Sequence, residues 1–204
     1  MTYDQLASLK AVQETINALK GRNIEALLVN TKEEALEKVK EMIPAGASVM
    51  TGSSATLNEI GFSDFLISKN HSWRNLKDEI VAEADPDKQN KLRKQSVLAG
   101  YFLGSVHAVA KDGKVLVASA SGSQIPSYAF TSPNVIWVVG TQKIVGDLNE
   151  AFDRVKTYVF PLEDQRMKNV GAQGSVIARW LIFEREIVPS RKVTLIFINE
   201  KLGF

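Results

Sequence analysis

Short, mostly apolar runs alternate along this chain with amphipathic helical stretches, and these runs lead into Ser, Thr and Gly. Ser48–Thr51 leads into Gly52-Ser53-Ser54, Val115–Ala120 into Ser121-Gly122-Ser123-Gln124, and Val135–Val139 into Gly140-Thr141-Gln142-Lys143. An apolar run without polar alternation fits a strand buried on both faces, which a parallel sheet between helices provides. Leu6, Leu9, Ile16 and Leu19 recur on one face of a helix over 4–20, followed by Gly21. Thr31 and Glu34 form a capping box for a helix over 32–43 that stops before Pro44. The fold class that follows is α/β: three layers, a largely parallel sheet with helices on both faces, and antiparallel hairpins added.

Ile24–Val29 reads as a further strand, and Ala55, Leu57 and Ile60 as a short helix stopped by Gly61. Residues 62–84 are mixed. Asp85-Pro86 supplies an N-cap and a first-turn proline for a helix carried through Leu92, Val97, Leu98 and Phe102. Lys111-Asp112-Gly113-Lys114 lies between two β-rich runs and predicts a hairpin. Asp147 with Glu150 caps a helix to about Tyr158, and residues 176–187 and 191–199 are expected to pair as a hairpin around Pro189-Ser190. With 204 residues, a single domain over 1–204 is expected, in which 1–43 is an N-terminal helix and strand extension.

The chain has no cysteine, which excludes disulfides, thiol catalysis, thiolate zinc sites and a self-carried iron–sulfur cluster. Its 25 basic and 23 acidic residues are interspersed, the pattern of a solvated surface, so no nucleic-acid partner is expected. No membrane association is expected either: Met1–Gln5 lacks the basic and apolar regions of a signal peptide, and no stretch has the roughly 18 apolar residues of a span. A cytoplasmic location is the corresponding expectation.

In open parallel sheets, ligands bind beyond the carboxyl ends of the strands, where both Ser/Gly clusters fall. In Thr51-Gly52-Ser53-Ser54 the glycine is read as allowing a sharp turn, so that amides at the next helix start, with the Ser and Thr hydroxyls, face one anion; simple helix capping is the alternative. Ser121, Gly122, Ser123 and Gln124 make the same offer, and if the two strands are neighbours the loops hold a phosphate, carboxylate or carboxamide between them. Glu59, within two turns of the first loop and off the Leu57/Ile60 face, is the candidate catalytic carboxylate, against its reading as a solvated surface residue. Lys143, at a third strand end, is a candidate anion-binding cation, although lysines there are commonly exposed. Asp112 is read as a turn former. His71 and His107, the only histidines, are 36 positions apart with no ligand spacing around them, so no metal site is expected, and His107 is read as a structural histidine on a strand. No nucleophile elbow, P-loop or dinucleotide fingerprint occurs, so no cofactor is implied. Trp73, Trp137 and Trp180 read as core.

Three segments together resemble the LUD-domain (lactate utilisation, LutC/YkgG-like) family: Met50–Gly61, Gly113–Gln124, and Val135–Val145 followed by Asp147-Leu148-Asn149-Glu150-Ala151. The third is the most specific, because strand, Gly-x-Gln-Lys-Ile-Val turn and capped helix follow without interruption. The resemblance implies the fold of the NagB/RpiA/CoA-transferase group, whose ligands are anionic. It also implies a LutC-like role in oxidation of L-lactate to pyruvate, as a cluster-free accessory component that binds a small anionic ligand and works with separate iron–sulfur redox partner proteins. The alternative is a stand-alone isomerase or acyl/CoA-transfer enzyme acting on a phosphate- or CoA-bearing substrate, with Glu59 as its acid/base or nucleophile. Homodimer formation is compatible with either reading.

Overall fold

Side-chain caps set most helix starts in the computed structural model, which describes residues 3–204. Ser8 caps α1 (Leu9–Lys20), so this helix begins later than the apolar spacing suggests and leaves Leu6 exposed. After β1 (Glu25–Val29), Thr31 caps α2 (Lys32–Met42). Next come β2 (Ser48–Thr51), α3 (Ala55–Glu59), α4 (Phe62–Ser68), β3 (Arg74–Asn75), α5 (Leu76–Ala82) and α6 (Pro86–Gln95), the last capped by Asp85 as expected. Then follow β4 (Tyr101–Gly104), β5 (Ala108–Ala110), β6 (Val115–Ser119), β7 (Asn134–Gly140) and β8 (Ile144–Val145). Asp147 caps α7 (Leu148–Arg154), and a π-helical turn, Val155–Val159, runs on into α8 (Phe160–Asn169), so this helical run passes well beyond Tyr158. β9 (Arg179–Phe183) and β10 (Lys192–Ile198) complete the described elements.

Six strands form a wholly parallel sheet in the order β1-β10-β7-β4-β2-β3. Alternation through β7 sends Val135, Trp137 and Val139 to one face, where they meet Val12, Ile16 and Leu19 of α1. Ile136 and Val138 go to the other face, against α2 and the α3–α4 pair. The expected three-layer α/β arrangement is thus present. A second, mixed sheet, β8-β5-β6-β9, packs beside α1 on the first face through Val109, Val115, Val117 and Phe183. Its outer side is covered by α7 through Ala151, next to Val155. The hairpin predicted at Asp112-Gly113 is the β5–β6 pair, with Gly113 at φ +88.

Two expectations are corrected. The helix opened at Asp85 stops at Gln95, and Phe102 belongs to β4. Tyr101–Gly104 alternates like a strand, with Phe102 in one core cluster and Leu103 in the other, whereas α6 buries none of its residues. Residues 176–187 and 191–199 do not pair. β9 joins β6 in the small sheet, while β10, apolar on both faces, fills an interior position between β1 and β7. The turn at Pro189-Ser190 exists, with Arg191 N–H donating to Val188 O, but the chain changes sheets across it. A buried ion pair between Arg191 and Glu186 fixes that crossing.

Candidate functional site

Three neighbouring strands of the main sheet, β7, β4 and β2, end at one cleft of about 400 Å³, and the small sheet closes it from the other side. The turn after β7 carries Lys143, the residue after β4 is Ser105, and α3 after β2 carries Thr56. All three line the cleft. Lys143 is buried, and its Nζ lies 3.1 Å from both Thr56 Oγ1 and Ser105 Oγ. The two hydroxyls are themselves 3.3 Å apart. Burial, helped by the nearby positive Arg154 and opposed by Glu59, pushes the Lys143 amine down to about 7.

His107 enters at the junction between β4 and β5. Its Nδ1 accepts the Ala118 N–H at 3.1 Å, so the proton of the neutral ring sits on Nε2. Burial first, then the positive charges of Lys143 and Arg154, push the imidazolium down to about 3. The ring therefore acts as a fixed N–H donor at neutral pH. Arg154 is fully buried beside it, donates through Nη1 to His107 O, and stacks near the rings of Tyr3 and Tyr158. Its Nε and Nη2 have no acceptor among the described residues, and burial, opposed by Tyr158 and Tyr3, pulls the guanidinium down to about 10. Tyr128 closes the floor, its hydroxyl donating to Ser105 O and its ring edge-on to Phe102 and Trp137.

The opposite end of the cleft is apolar. Val155 and Val159 of the π-helical turn, Phe160 and Met167 of α8, and Val176 and Ile177 ahead of β9 form its wall. The acid on the lining, Glu163, is engaged in a two-point pair with Arg166. An arrangement of this kind suits a molecule with a negatively charged or carbonyl-bearing head and an apolar body.

The two Ser/Gly loops do meet here, although their strands are not neighbours: β2 lies in the main sheet and β6 in the small one. Ser53, Ser54, Ser121, Ser123 and Gln124 line the cleft. Their chemistry differs from the expectation. Ser54 caps α3 by accepting Leu57 N–H, and α3 has only five residues, too short to supply a useful dipole. Gly52 does not use the left-handed region, and a Cβ there would make only ordinary contacts, 3.7 Å from Gln124 Oε1. Gly122 does need to be glycine, at φ +78 with Arg179 packed where a Cβ would be. The Gly122 and Ser123 amides are taken by Ser119 Oγ and Ser121 Oγ, so these two do not face a ligand.

Two candidates lie elsewhere. Thr51 is buried and borders a separate cavity with Leu66, Ile67 and Asn75. Glu59 is exposed and outside the cleft lining; its carboxylate accepts the Gly203 N–H at 2.7 Å. With Gln142, which donates to Leu202 O, it holds residues 202–204 across the cleft, placing Phe204 in its lining. Asp112 is a turn residue, hydrogen-bonded to Lys114 and near Arg22. His71 is hydrogen-bonded locally and stacked on Trp73. Ser105, Thr56 and Arg154 were not singled out in the sequence. The signal for Ser105 was the apolar triplet Tyr101-Phe102-Leu103 ending on Gly-Ser, hidden by its assignment to a helix.

Fold and cleft together define a parallel-sheet α/β domain with a candidate cleft where two sheets meet. The family model of the LUD domain matches residues 12–179, and the chain belongs to that family. A DUF162 family protein from Deinococcus radiodurans, with a crystal structure at 1.70 Å resolution, has a similar fold: TM-score 0.57 and 10% sequence identity, covering 96% of this chain and 100% of that one. No curated protein sequence matches this chain. Among the described residues, no helix is long and apolar enough to cross a membrane.

Proposed function

We propose that this LUD-domain protein binds a small carboxylate-bearing molecule in the cleft and serves, as a LutC-like cluster-free component, in the oxidation of organic acids such as L-lactate alongside iron–sulfur partner proteins. The convergence of Lys143, the His107 Nε2–H donor and the Thr56 and Ser105 hydroxyls, with the lining's one acid already paired to Arg166, carries the reading. A carboxylate placed there meets the Lys143 amine and the His107 N–H and no unpaired like charge. Ser121, Ser123 and Gln124 are available to the same head group from the small sheet.

The test has two arms. Thermal-shift screening of 2-hydroxy acids, 2-oxo acids, phosphates and CoA esters should give stabilisation by carboxylates that is lost in Lys143→Met. Deletion of the gene should impair growth on L-lactate, and the protein should co-purify with iron–sulfur proteins. Unimpaired growth without such partners would remove the pathway part of the reading, and absence of any carboxylate effect would remove the site.

A second reading, an acyl-transfer or isomerase enzyme, is favoured by the apolar wall from Val155 to Ile177, which extends the cleft beyond the size of a three-carbon acid. Glu59 is displaced from that role by its position at Gly203. Preferential stabilisation by CoA esters over free acids is the outcome that would select it.

A further inference from the structure

We infer that Lys143 is a carbonyl-reactive amine, which condenses reversibly with an aldehyde- or ketone-bearing anion held in the cleft. The inference rests on the carboxylate-binding reading above and adds a covalent step to it. A lysine that serves only as a fixed positive charge is usually solvated or paired with a carboxylate. Lys143 is buried, lines a cleft able to hold an organic molecule, and makes its side-chain hydrogen bonds to the two hydroxyls of Thr56 and Ser105. Two acceptors match the two N–H bonds of a neutral amine and leave its lone pair unclaimed. Its other neighbours act in the same direction: Arg154 and burial disfavour the ammonium, and the one opposing carboxylate, Glu59, is engaged by Gly203 N–H.

The surroundings can also activate the electrophile. The His107 Nε2–H is a donor whose direction is fixed by the Ala118 N–H on the opposite ring nitrogen. A carbonyl oxygen accepting it would be polarised toward attack. The step balances without a redox partner. The Lys143 lone pair forms a C–N bond to the carbonyl carbon as the C–O π bond opens. The amine proton passes to the new alkoxide through the Thr56 and Ser105 hydroxyls, and loss of the second amine proton with the hydroxyl releases one water and leaves an imine. The smallest compounds with the required anion beside a carbonyl are 2-oxo acids, and the apolar wall accommodates those with longer chains.

The experiment treats the intact protein with pyruvate or 2-oxohexanoate and then sodium borohydride, and locates the adduct by peptide mass spectrometry. Expected is one reduced adduct per chain on Lys143, dependent on both the 2-oxo acid and borohydride, and lost in K143R. Reading the adduct position in the wild-type protein keeps the test valid if the variant folds poorly. Thermal stabilisation by the same acids without a Lys143 adduct, or adducts spread evenly over exposed lysines, would overturn the covalent step while leaving carboxylate binding in place. Neither adduct nor stabilisation would overturn both.

Discussion

The imidazole of His107 accepts the Ala118 backbone N–H through Nδ1 at 3.1 Å, so a residue of the small sheet fixes which nitrogen of a cleft residue carries a proton. Protonating His107 would break this bond and add a third positive charge beside Lys143 and Arg154. Its folded value of about 3 lies below the ordinary 6.5, so the unfolded chain takes up the proton first as pH falls. The contribution to stability is complete above about pH 6.5 and is lost as pH falls through 3, at about 1.4 kcal/mol per unit in between. Urea unfolding from pH 7 to 4 should show this slope in the wild type and a shallower one in His107→Gln.

Lys143 acts in the same direction over a higher pH window. Its folded value of about 7 lies below 10.5, so the amine's contribution is full above 10.5 and lost as pH falls toward 7. Lys143→Met removes the cost of burying an ammonium and should stabilise the unliganded protein at pH 7 by about 1–4 kcal/mol, the range seen when buried charges give way to apolar residues of similar size. The advantage should shrink as the pH is raised toward 9.5. Melting temperatures measured across that range, with and without a carboxylate ligand, check both the gain and the expected loss of ligand stabilisation.

Gly104 and Gly52 should differ sharply in their response to a methyl group. A Cβ on Gly104 would fall 1.8 Å from Tyr128 Oη, so Gly104→Ala should expel the ring that donates to Ser105 O, costing about 1–3 kcal/mol and disordering the cleft floor. Gly52→Ala meets only ordinary contacts and should change stability by less than about 0.5 kcal/mol. Chemical denaturation of the two variants side by side is a sufficient measurement.

Glu186 is the buried partner of Arg191, whose guanidinium also donates to the Ser127, Tyr128 and Ser132 carbonyls. Glu186→Ala leaves that charge uncompensated and should cost about 3–5 kcal/mol. Because the same guanidinium holds the segment bearing Tyr128, amide exchange should accelerate at 127–132 before it does in β10.

Caps and apolar runs made much of the fold legible in the sequence. Thr31, Asp85 and Asp147 begin their helices where expected, and Asp112-Gly113 turns the β5–β6 hairpin. Strand partners were less legible. Residues 179–183 and 192–198 sit on either side of a good turn, and only the tertiary core decides that the second run, apolar on both faces, fills the centre of another sheet. The candidate site shows the same division. Ser121, Ser123, Gln124 and Lys143, legible as residues at strand ends, all line the cleft. Burial is what distinguishes Lys143 from the usual exposed lysine, and burial depends on Thr56 and Ser105, which arrive from 87 and 38 positions away. Glu59 was chosen by proximity in sequence, but the polypeptide at Gly203 takes its carboxylate.

The connections β4–β5 and β7–β8 are the links that carry the chain directly from the main sheet to the small one, through Ser105–His107 and through Thr141–Lys143. Ser105, His107 and Lys143 therefore stand on the hinges of a folded page. Any slip of one sheet over the other changes the spacing between amine, hydroxyls and imidazole before it disturbs a strand. Substitutions at the inter-sheet contacts Val109, Val117 or Trp137, remote from any ligand, would act as a fine adjustment of affinity.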